Sequence, residues 1–323
     1  MIGERPANIE SLGWSRYFDE QLGHEDRDLV PARIDEVHRG RMTALTATGR
    51  MEIVLPARSD TGAYAVGDWV LLDPVTGLLQ LRLGRKSVLE RPAEGRRPTQ
   101  LVAANIDTLF IVASCNADFN VARLERYLAL ANEAETNPVI VLTKADTADD
   151  AVEYQRQAAG LQRDLPVVLL NAKAPDAAAA LAAWCGPGLT VALVGSSGVG
   201  KSTLVNALIG QGREQQQTGS IRESDAKGRH VTTSRSLHPV AGGGWVIDTP
   251  GMRSLQVKDI VQGLDTLFAE IVELAPLCKF RNCTHDHEPG CAVRAAVSAG
   301  TVDPERLARW RKLQAENTQG GRR

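Results

Sequence analysis

Long apolar runs are missing from this chain: no stretch of about eighteen apolar residues occurs, so no membrane span is expected. An apolar signal core is missing too, because Met1 to Glu20 mixes acids with Asn8 and Trp14. Both absences point to a soluble, cytoplasmic protein. Aromatic residues are few, at 4% of 323 positions, and a net charge of −2 is no signature of nucleic-acid binding. The five cysteines are an odd number, and three of them fall between Cys278 and Cys291. In a cytosolic chain that crowding favours a metal site over disulfides.

The charge that is present is unevenly spread. Arg82, Arg85, Lys86, Arg91, Arg96 and Arg97 face only Glu90 and Glu94 in one short stretch. Either this is a solvated linker or it is a local basic patch of the kind that lets a mildly acidic protein touch phosphate backbones.

The length predicts two or three domains. Residues 9–20 read as a short amphipathic helix. Between Pro31 and Gly84 five short segments, 32–37, 42–46, 51–55, 68–72 and 78–81, alternate and break at turn residues. That pattern predicts a small five-stranded barrel of OB type, with an SH3-like barrel as the alternative. The stretch 91–98 reads as a linker. Beyond it the pattern changes to apolar runs at 107–113, 139–142, 167–170 and 191–194, alternating with helical segments at 121–134 and 175–184. Buried strands alternating with helices predict a doubly wound α/β domain. After Ser254 the chain is mostly helical, and the tail after Glu316 reads as disordered.

Three motifs lie in this α/β region. Gly195-Ser196-Ser197-Gly198-Val199-Gly200-Lys201-Ser202, followed by Thr203, runs from an apolar strand into a helix. This is a phosphate loop, in which backbone N–H groups and a helix N-terminus stabilise an anion. Lys201 belongs at the β- and γ-phosphates and Ser202 on Mg²⁺. About fifty residues earlier, Thr143-Lys144-Ala145-Asp146 follows another buried strand. The Asp146 carboxylate suits the N1–H and 2-amino groups of guanine, and the stem of Lys144 suits the purine face. Thr143 stands where an Asn is usual, which predicts guanine preference with some loss of affinity. Asn171 and Ala172 follow the next strand, with a backbone N–H for the guanine O6. Downstream, Asp248-Thr249-Pro250-Gly251 places Asp248 at Mg²⁺ through water and the Gly251 N–H at the γ-phosphate.

Met252 occupies the place of a water-orienting Gln and cannot polarise water. Between the phosphate loop and Asp248, the segment 228–233 stands in the place of a first switch: Thr233, or Thr232, is a candidate Mg²⁺ ligand and His230 a candidate to position the attacking water. In the usual order the phosphate loop comes first, so this arrangement is that of a circularly permuted GTPase.

Near the C-terminus, Cys278-x₄-Cys283-x-His285-x₅-Cys291 offers three thiolates and one imidazole. Arg281, Asn282, Asp286 and Glu288 make the segment too polar for a core, so the set reads as a closed, structural Zn²⁺ site. His287 is the nearest competing ligand.

With the permuted order, Gly228-Arg229-His230, the Asp248-to-Gly251 motif and the Cys₃His spacing in view, the chain resembles the ribosome small-subunit-dependent GTPase family, RsgA or YjeQ, over about residues 30 to 315. Val66-Gly67-Asp68-Trp69-Val70 and Val102-Ala103-Ala104-Asn105-Ile106-Asp107 carry the resemblance further. It implies an N-terminal OB-fold, a central permuted GTPase and a C-terminal zinc-binding helical domain. It also implies a role late in small-subunit maturation, GTP hydrolysis stimulated by the subunit, His230 and Lys201 as catalytic residues, and zinc on Cys278, Cys283, His285 and Cys291.

The expected domains are an extension at 1–28, the barrel at 29–95, the GTPase at 99–254 and the zinc-binding domain and tail at 255–323. The expected partners are the small ribosomal subunit and its rRNA, with other assembly factors, and the protein is expected to be a monomer. RNA contacts are expected from Arg33, Arg39 and Arg41 in the barrel, from Arg82 to Arg97, and from Arg306, Arg309, Arg311 and Lys312. Two other classes compete. A small-molecule phosphotransferase needs an acceptor motif that the chain lacks. An RNA-binding zinc and OB module with a weakly hydrolysed regulatory nucleotide sits poorly with intact Lys201, Ser202 and Asp248.

Overall fold

The computed structural model describes residues 8–91, 100–210, 235–248 and 260–320. A 3₁₀ turn at Glu10–Leu12 and a one-turn helix α1 (Arg16–Asp19) precede five strands: β1 (Val30–His38), β2 (Arg41–Thr46), β3 (Gly49–Ile53), β4 (Trp69–Leu72) and β5 (Leu79–Arg82). Each lies within two residues of its expected bounds. Alternation along them sends Ala32, Ile34, Met42, Ala44, Ile53, Val70, Leu72 and Leu79 into one small core. The long strand β1 pairs with β4 over its first half and β2 over its second, with a bulge between Ile34 and Glu36. β2 pairs with β3 and β4 with β5, and a parallel bridge from Val54 to Leu78 joins the last two free edges. The circuit β1-β2-β3-β5-β4-β1 therefore closes on itself.

The single helix expected over 9–20 is instead the 3₁₀ turn and α1, interrupted at Gly13. The reason is tertiary. Trp14 and Phe18 both pack on Trp69, with ring centroids 4.9 and 5.7 Å away. The indole N–H of Trp245 donates to the Ser11 carbonyl at 2.7 Å. The Arg33 guanidinium donates to the carbonyls of Leu12 and, at 3.1 Å, Asn105. The segment thus fills the angle between barrel and α/β sheet, and a continuous helix cannot make all these contacts. Arg33, expected at an RNA surface, is 1% exposed and holds this junction together. Burial lowers its pKa to about 10, opposed by Asp107 and Asp68.

Where the sequence reading has a linker, the described residues on its flanks form an antiparallel pair, β6 (Val88–Arg91) and β7 (Gln100–Ala104). Arg96 and Arg97 lie outside the described residues. The α/β region follows: β8 (Thr108–Ser114), α2 (Val121–Glu133), β9 (Asn137–Thr143), α3 (Ala151–Ala159), β10 (Val167–Leu169), β11 (Thr190–Gly195), α4 (Lys201–Ile209), β12 (Arg235–Pro239) and β13 (Trp245–Ile247). The Ala-rich segment expected as a helix at 175–184 is a 3₁₀ helix at Ala179–Trp184.

The strands lie in the order β10-β9-β8-β11-β13-β12, parallel except for β12. Their apolar runs are continuous because both faces are covered. Leu109, Ile111, Ile140 and Leu142 face α2, while Phe110, Val112, Val139 and Val141 share a core with Leu204, Val205 and Leu208 of α4. At the far edge β12 pairs antiparallel with β1, Glu36 opposite Ser236 and Val37 opposite Arg235. Barrel and α/β region therefore share one sheet of eleven strands.

The C-terminal part is helical: α5 (Val261–Leu267), α6 (Ala269–Val272), α7 (Ala292–Ser298) and α8 (Pro304–Gly320). Helix α8 extends to Gly320, into the tail after Glu316 that is expected to be disordered. Helix α5 crosses α2 at Gly263, where a Cβ would lie 2.1 Å from the Ala129 carbonyl oxygen, so only glycine fits. The fully buried Glu125 of α2 accepts from Arg309 at 2.9 Å and Arg306 at 3.4 Å. Arg306 also donates to Glu270 and to the Leu267 carbonyl and stacks over Phe268. Arg126 grips Glu316 with contacts of 2.7 and 2.9 Å. Arg311 donates to the His285 carbonyl and pairs with Asp286 at 3.2 Å. Arg306, Arg309 and Arg311, read from sequence as RNA contacts, are thus internal clamps. A helical charge run gives no warning of this, because the partners lie far away in sequence.

Candidate nucleotide site and metal centre

All the motif-bearing strands end at the same edge of the sheet, since β8, β9, β11 and β13 are parallel. Such an edge, at the carboxyl ends of parallel strands, is where open α/β sheets take ligands. Gly195 closes β11 with φ 144°, and a Cβ there would lie 2.2 Å from the Val112 carbonyl oxygen. The loop leaves the sheet directly against β8, and only glycine permits that approach. Ser196 is half-buried, Ser197 and Gly198 are exposed, and Val199 is buried as the anchor of the loop. Gly200 caps α4 in the left-handed region, φ 103°, so that Lys201 and the exposed Ser202 open the helix with Thr203 behind them. The Lys201 ammonium donates to the carbonyls of Gly195 at 2.8 Å and Ser196 at 2.5 Å, bracing the loop from within.

The base-reading segment meets this loop. Thr143 is buried at the end of β9, and its hydroxyl donates to the Val199 carbonyl at 2.6 Å. The space beside Gly200 is bounded by Ala172 and Thr143, within 3.8 Å of where its Cβ would be. Lys144 turns the chain in the left-handed region, φ 56°, and delivers Asp146 to the surface in a 3₁₀ turn. The Asn171 amide donates to the Asp146 carboxylate at 3.0 Å. The structure therefore brings together Thr143, Lys144, Asp146, Asn171, Ala172 and the whole phosphate loop. Asp248 follows β13 at the same edge, its N–H donating to the Ser236 carbonyl at 3.0 Å. His230, Thr232, Thr233, Gly251 and Met252 lie outside the described residues.

One neighbour of the loop escapes the motif reading. Arg123, in the first turn of α2, donates to the Ser196 hydroxyl at 2.5 Å. Asn120 caps that helix by accepting from the Arg123 N–H at 2.9 Å, which fixes where the arginine sits. A helix cap followed three residues later by a cation is the signal that sequence offered; only the tertiary fold says what it faces.

In the C-terminal part, the ligand atoms of Cys278, Cys283, His285 and Cys291 all lie within 4.8 Å of one another. Cys278 and Cys291 are 3.8 Å apart, and the His285 Nδ1 is 3.5 and 3.4 Å from them. Edges of this length suit a tetrahedron around an ion with Zn–S distances of about 2.3 Å. Burial works against ionising Cys278, but the backbone N–H groups of Ala292 and Val293, with the Cys291 and Cys283 thiols, hold it below the usual range. Desolvation and its sulfur neighbours push Cys283 up to about 12. Burial lowers His285, and Arg311 adds to this against Glu288, so the imidazole is kept neutral as a ligand must be. Three sulfurs and one imidazole nitrogen at these separations are a donor set that fits zinc. Glu288 organises the loop by accepting from Thr284, Asp286 and His287. His287 is exposed and pairs with Asp286, outside the cluster.

A phosphate loop downstream of its base-reading strand, on one mixed sheet, defines a circularly permuted P-loop GTPase. The RsgA GTPase family matches residues 82–258, and the chain belongs to that family. It is 67% identical over 311 residues to the small ribosomal subunit biogenesis GTPase RsgA of Mesorhizobium japonicum, covering 96% of this chain and 90% of that one. It is 46% identical to the small ribosomal subunit biogenesis GTPase RsgA 2 of Vibrio vulnificus, over 98% of this chain and 90% of the relative. Among solved structures it is similar to YjeQ from Thermotoga maritima, with a TM-score of 0.66 at 26% identity, over 91% of this chain and all of that one. The fold is also that of YloQ, a circularly permuted GTPase, with a TM-score of 0.64 at 24% identity over 94% and 99% of the two chains.

Proposed function

We propose that this protein hydrolyses GTP in the biogenesis of the small ribosomal subunit. The observation that carries the reading is the junction of Thr143 with Val199, which sets a guanine-type reader and a phosphate loop on one floor. GTPase activity and the link to small-subunit biogenesis rest also on family membership. In this reading Asp146 and Lys144 hold the base, with Thr143, Asn171 and Ala172 supporting. Residues Gly195 to Thr203 and Gly251 hold the phosphates, and Ser202, Thr233 and Asp248 hold Mg²⁺. Mg²⁺ would neutralise charge on the β- and γ-phosphate oxygens. Lys201 braces the loop and neutralises the phosphates, and His230 positions water.

The closed circuit of five strands supports an OB-type barrel as the RNA-facing domain. In this reading the domains are 29–95, 99–254 and 255–323, with residues 8–28 packed between the first two. Zinc on the Cys₃His set holds the loops between α6 and α7 together. In this reading the protein acts late in subunit maturation, in the cytoplasm and as a monomer, and rRNA contact switches hydrolysis on.

The test is turnover of GTP and ATP with and without purified small subunits. Strong stimulation of GTP hydrolysis, lost in His230→Ala with GDP binding intact, supports the reading. Equal use of ATP would refute the base assignment, and a subunit-independent rate would refute the coupling.

A further inference from the structure

The Arg123 side chain crosses from α2 to the phosphate loop, and no sequence motif contains it. Its guanidinium donates to the Ser196 hydroxyl at 2.5 Å, while the carbonyl of the same serine accepts from Lys201 at 2.5 Å. Ser196 is thus held by two cations, through its side chain on one flank and its backbone on the other. The backbone from which Arg123 projects is fixed, although the side chain itself is exposed. Asn120 fixes the helix start, and Leu124, Glu125, Tyr127 and Leu128 bury the rest of that turn. A cavity of about 10 Å³ between α2 and the loop is lined by Arg123, Tyr127, Asn120, Asp118, Ser196 and Val199.

Ser196 is the second residue of a loop whose backbone N–H groups must be presented together if it is to cradle an anion. A phosphate loop gains its affinity from holding those donors in place beforehand, since ordering them on binding costs affinity. Gly195 and Gly198 offer no side chain by which another element could grip the loop, whereas Ser196 does. Arg123 supplies a hold on the residue between them.

We propose that Arg123 is a positioning residue for the phosphate cradle, acting through Ser196 to keep the loop in its anion-receiving shape. The proposal rests on the reading of residues 195–203 as the GTP site. It concerns binding of the nucleotide rather than the chemical step, because the guanidinium is assigned to the loop and not to the reacting phosphate.

The experiment is a double-mutant cycle in the full-length protein on Arg123→Ala and Ser196→Ala, with Arg123→Lys and Lys201→Ala alongside. GDP affinity by fluorescence titration and KM and kcat for GTP are measured, with melting temperature as a fold control. Arg123→Ala is expected to raise the GDP Kd and the GTP KM by roughly tenfold, the scale of one charge-assisted hydrogen bond, with kcat little changed. Arg123→Lys recovers part of the loss. The double variant is no worse than the worse single one, because both break the same link. Additive losses would show that Arg123 does not act through Ser196, and a wild-type KM in Arg123→Ala would overturn the proposal outright. Failure of the proposal alone leaves Lys201→Ala inactive; if Lys201→Ala also retained wild-type turnover, the site reading would fall with it.

Discussion

The Thr143 hydroxyl reaches across 2.6 Å to the Val199 carbonyl, so the strand proposed to read the base and the loop proposed to hold the phosphates are bonded to each other within the protein. The hydroxyl is buried and its acceptor belongs to the anchor residue of the loop. Thr143→Val keeps the shape and deletes the donor. Leaving the buried carbonyl without that partner costs about 1–3 kcal/mol, part of it in nucleotide binding. Affinities for GDP and GTP should fall together by roughly fivefold or more, read by titration calorimetry. A change confined to one nucleotide would place the effect elsewhere.

In the proposed function base specificity rests on the Asp146 carboxylate, which accepts from the Asn171 amide at 3.0 Å. Asp146→Asn should lower guanine affinity and raise relative affinity for xanthine, measured by competition between GDP and xanthosine diphosphate. Asn171→Ala should weaken guanine binding without changing the preference, because it removes the orienting amide and leaves the carboxylate. Unaltered GDP binding in Asp146→Asn would mean that the base lies somewhere else.

Much of this arrangement is legible in sequence, for physical reasons that can be traced residue by residue. The barrel strands alternate with period two around residues such as Ala32, Ile34, Val70 and Leu72, so their existence and faces follow from the pattern. The phosphate loop and Cys₃His set are local, and their chemistry fixes their residue types and spacing. Arg306, Arg309 and Arg311 show where such reading stops. They look like a basic helix face, but Glu125, Glu270 and Asp286 neutralise them from distant parts of the chain. The pairing of β12 with β1 is equally silent in sequence, because backbone hydrogen bonds between distant strands leave no compositional mark.

Glu125 is the acceptor for two arginines in a buried setting, so removing it strips the buried partner from both and leaves them only Glu270 and Glu305. Glu125→Ala should destabilise the protein by about 3–5 kcal/mol. Hydrogen exchange should rise first in α8, from residue 304 onward, and denaturant unfolding should shift its midpoint. If α8 kept its protection, the clamp would be held by Glu270 and Glu316 without Glu125.

The zinc centre should be structural. One zinc per chain is expected by elemental analysis, and Cys291→Ser should lower both zinc content and melting temperature while basal GTP binding persists. Removal of zinc with a strong chelator should loosen residues 275–300 in hydrogen exchange. Full zinc occupancy in Cys291→Ser would show that another donor, such as His287, completes the shell.

The RNA contact proposed for the barrel falls to the arginines that stay at the surface. Arg39 and Arg41 are exposed around the first hairpin, whereas Arg33 is buried at the junction and Arg85 is locked on Asp68 at 2.7 Å. Arg39→Ala with Arg41→Ala should weaken subunit binding and flatten its salt dependence, with melting temperature unchanged. Arg33→Ala should destabilise the fold instead. Equal binding by the surface double variant across a salt titration would place docking on another face.

The continuity of the sheet from β12 into β1 changes how the barrel can be studied. A truncation that removes it does not release an independent module. It strips the hydrogen-bonded neighbour from β12, leaving a row of backbone donors and acceptors open to any passing strand. It also takes away Trp69, against which Trp14 and Phe18 pack. Such a fragment would self-associate through its raw edge, and a loss of subunit binding would then report aggregation rather than docking. Surface substitutions, not deletions, are the instrument this architecture permits.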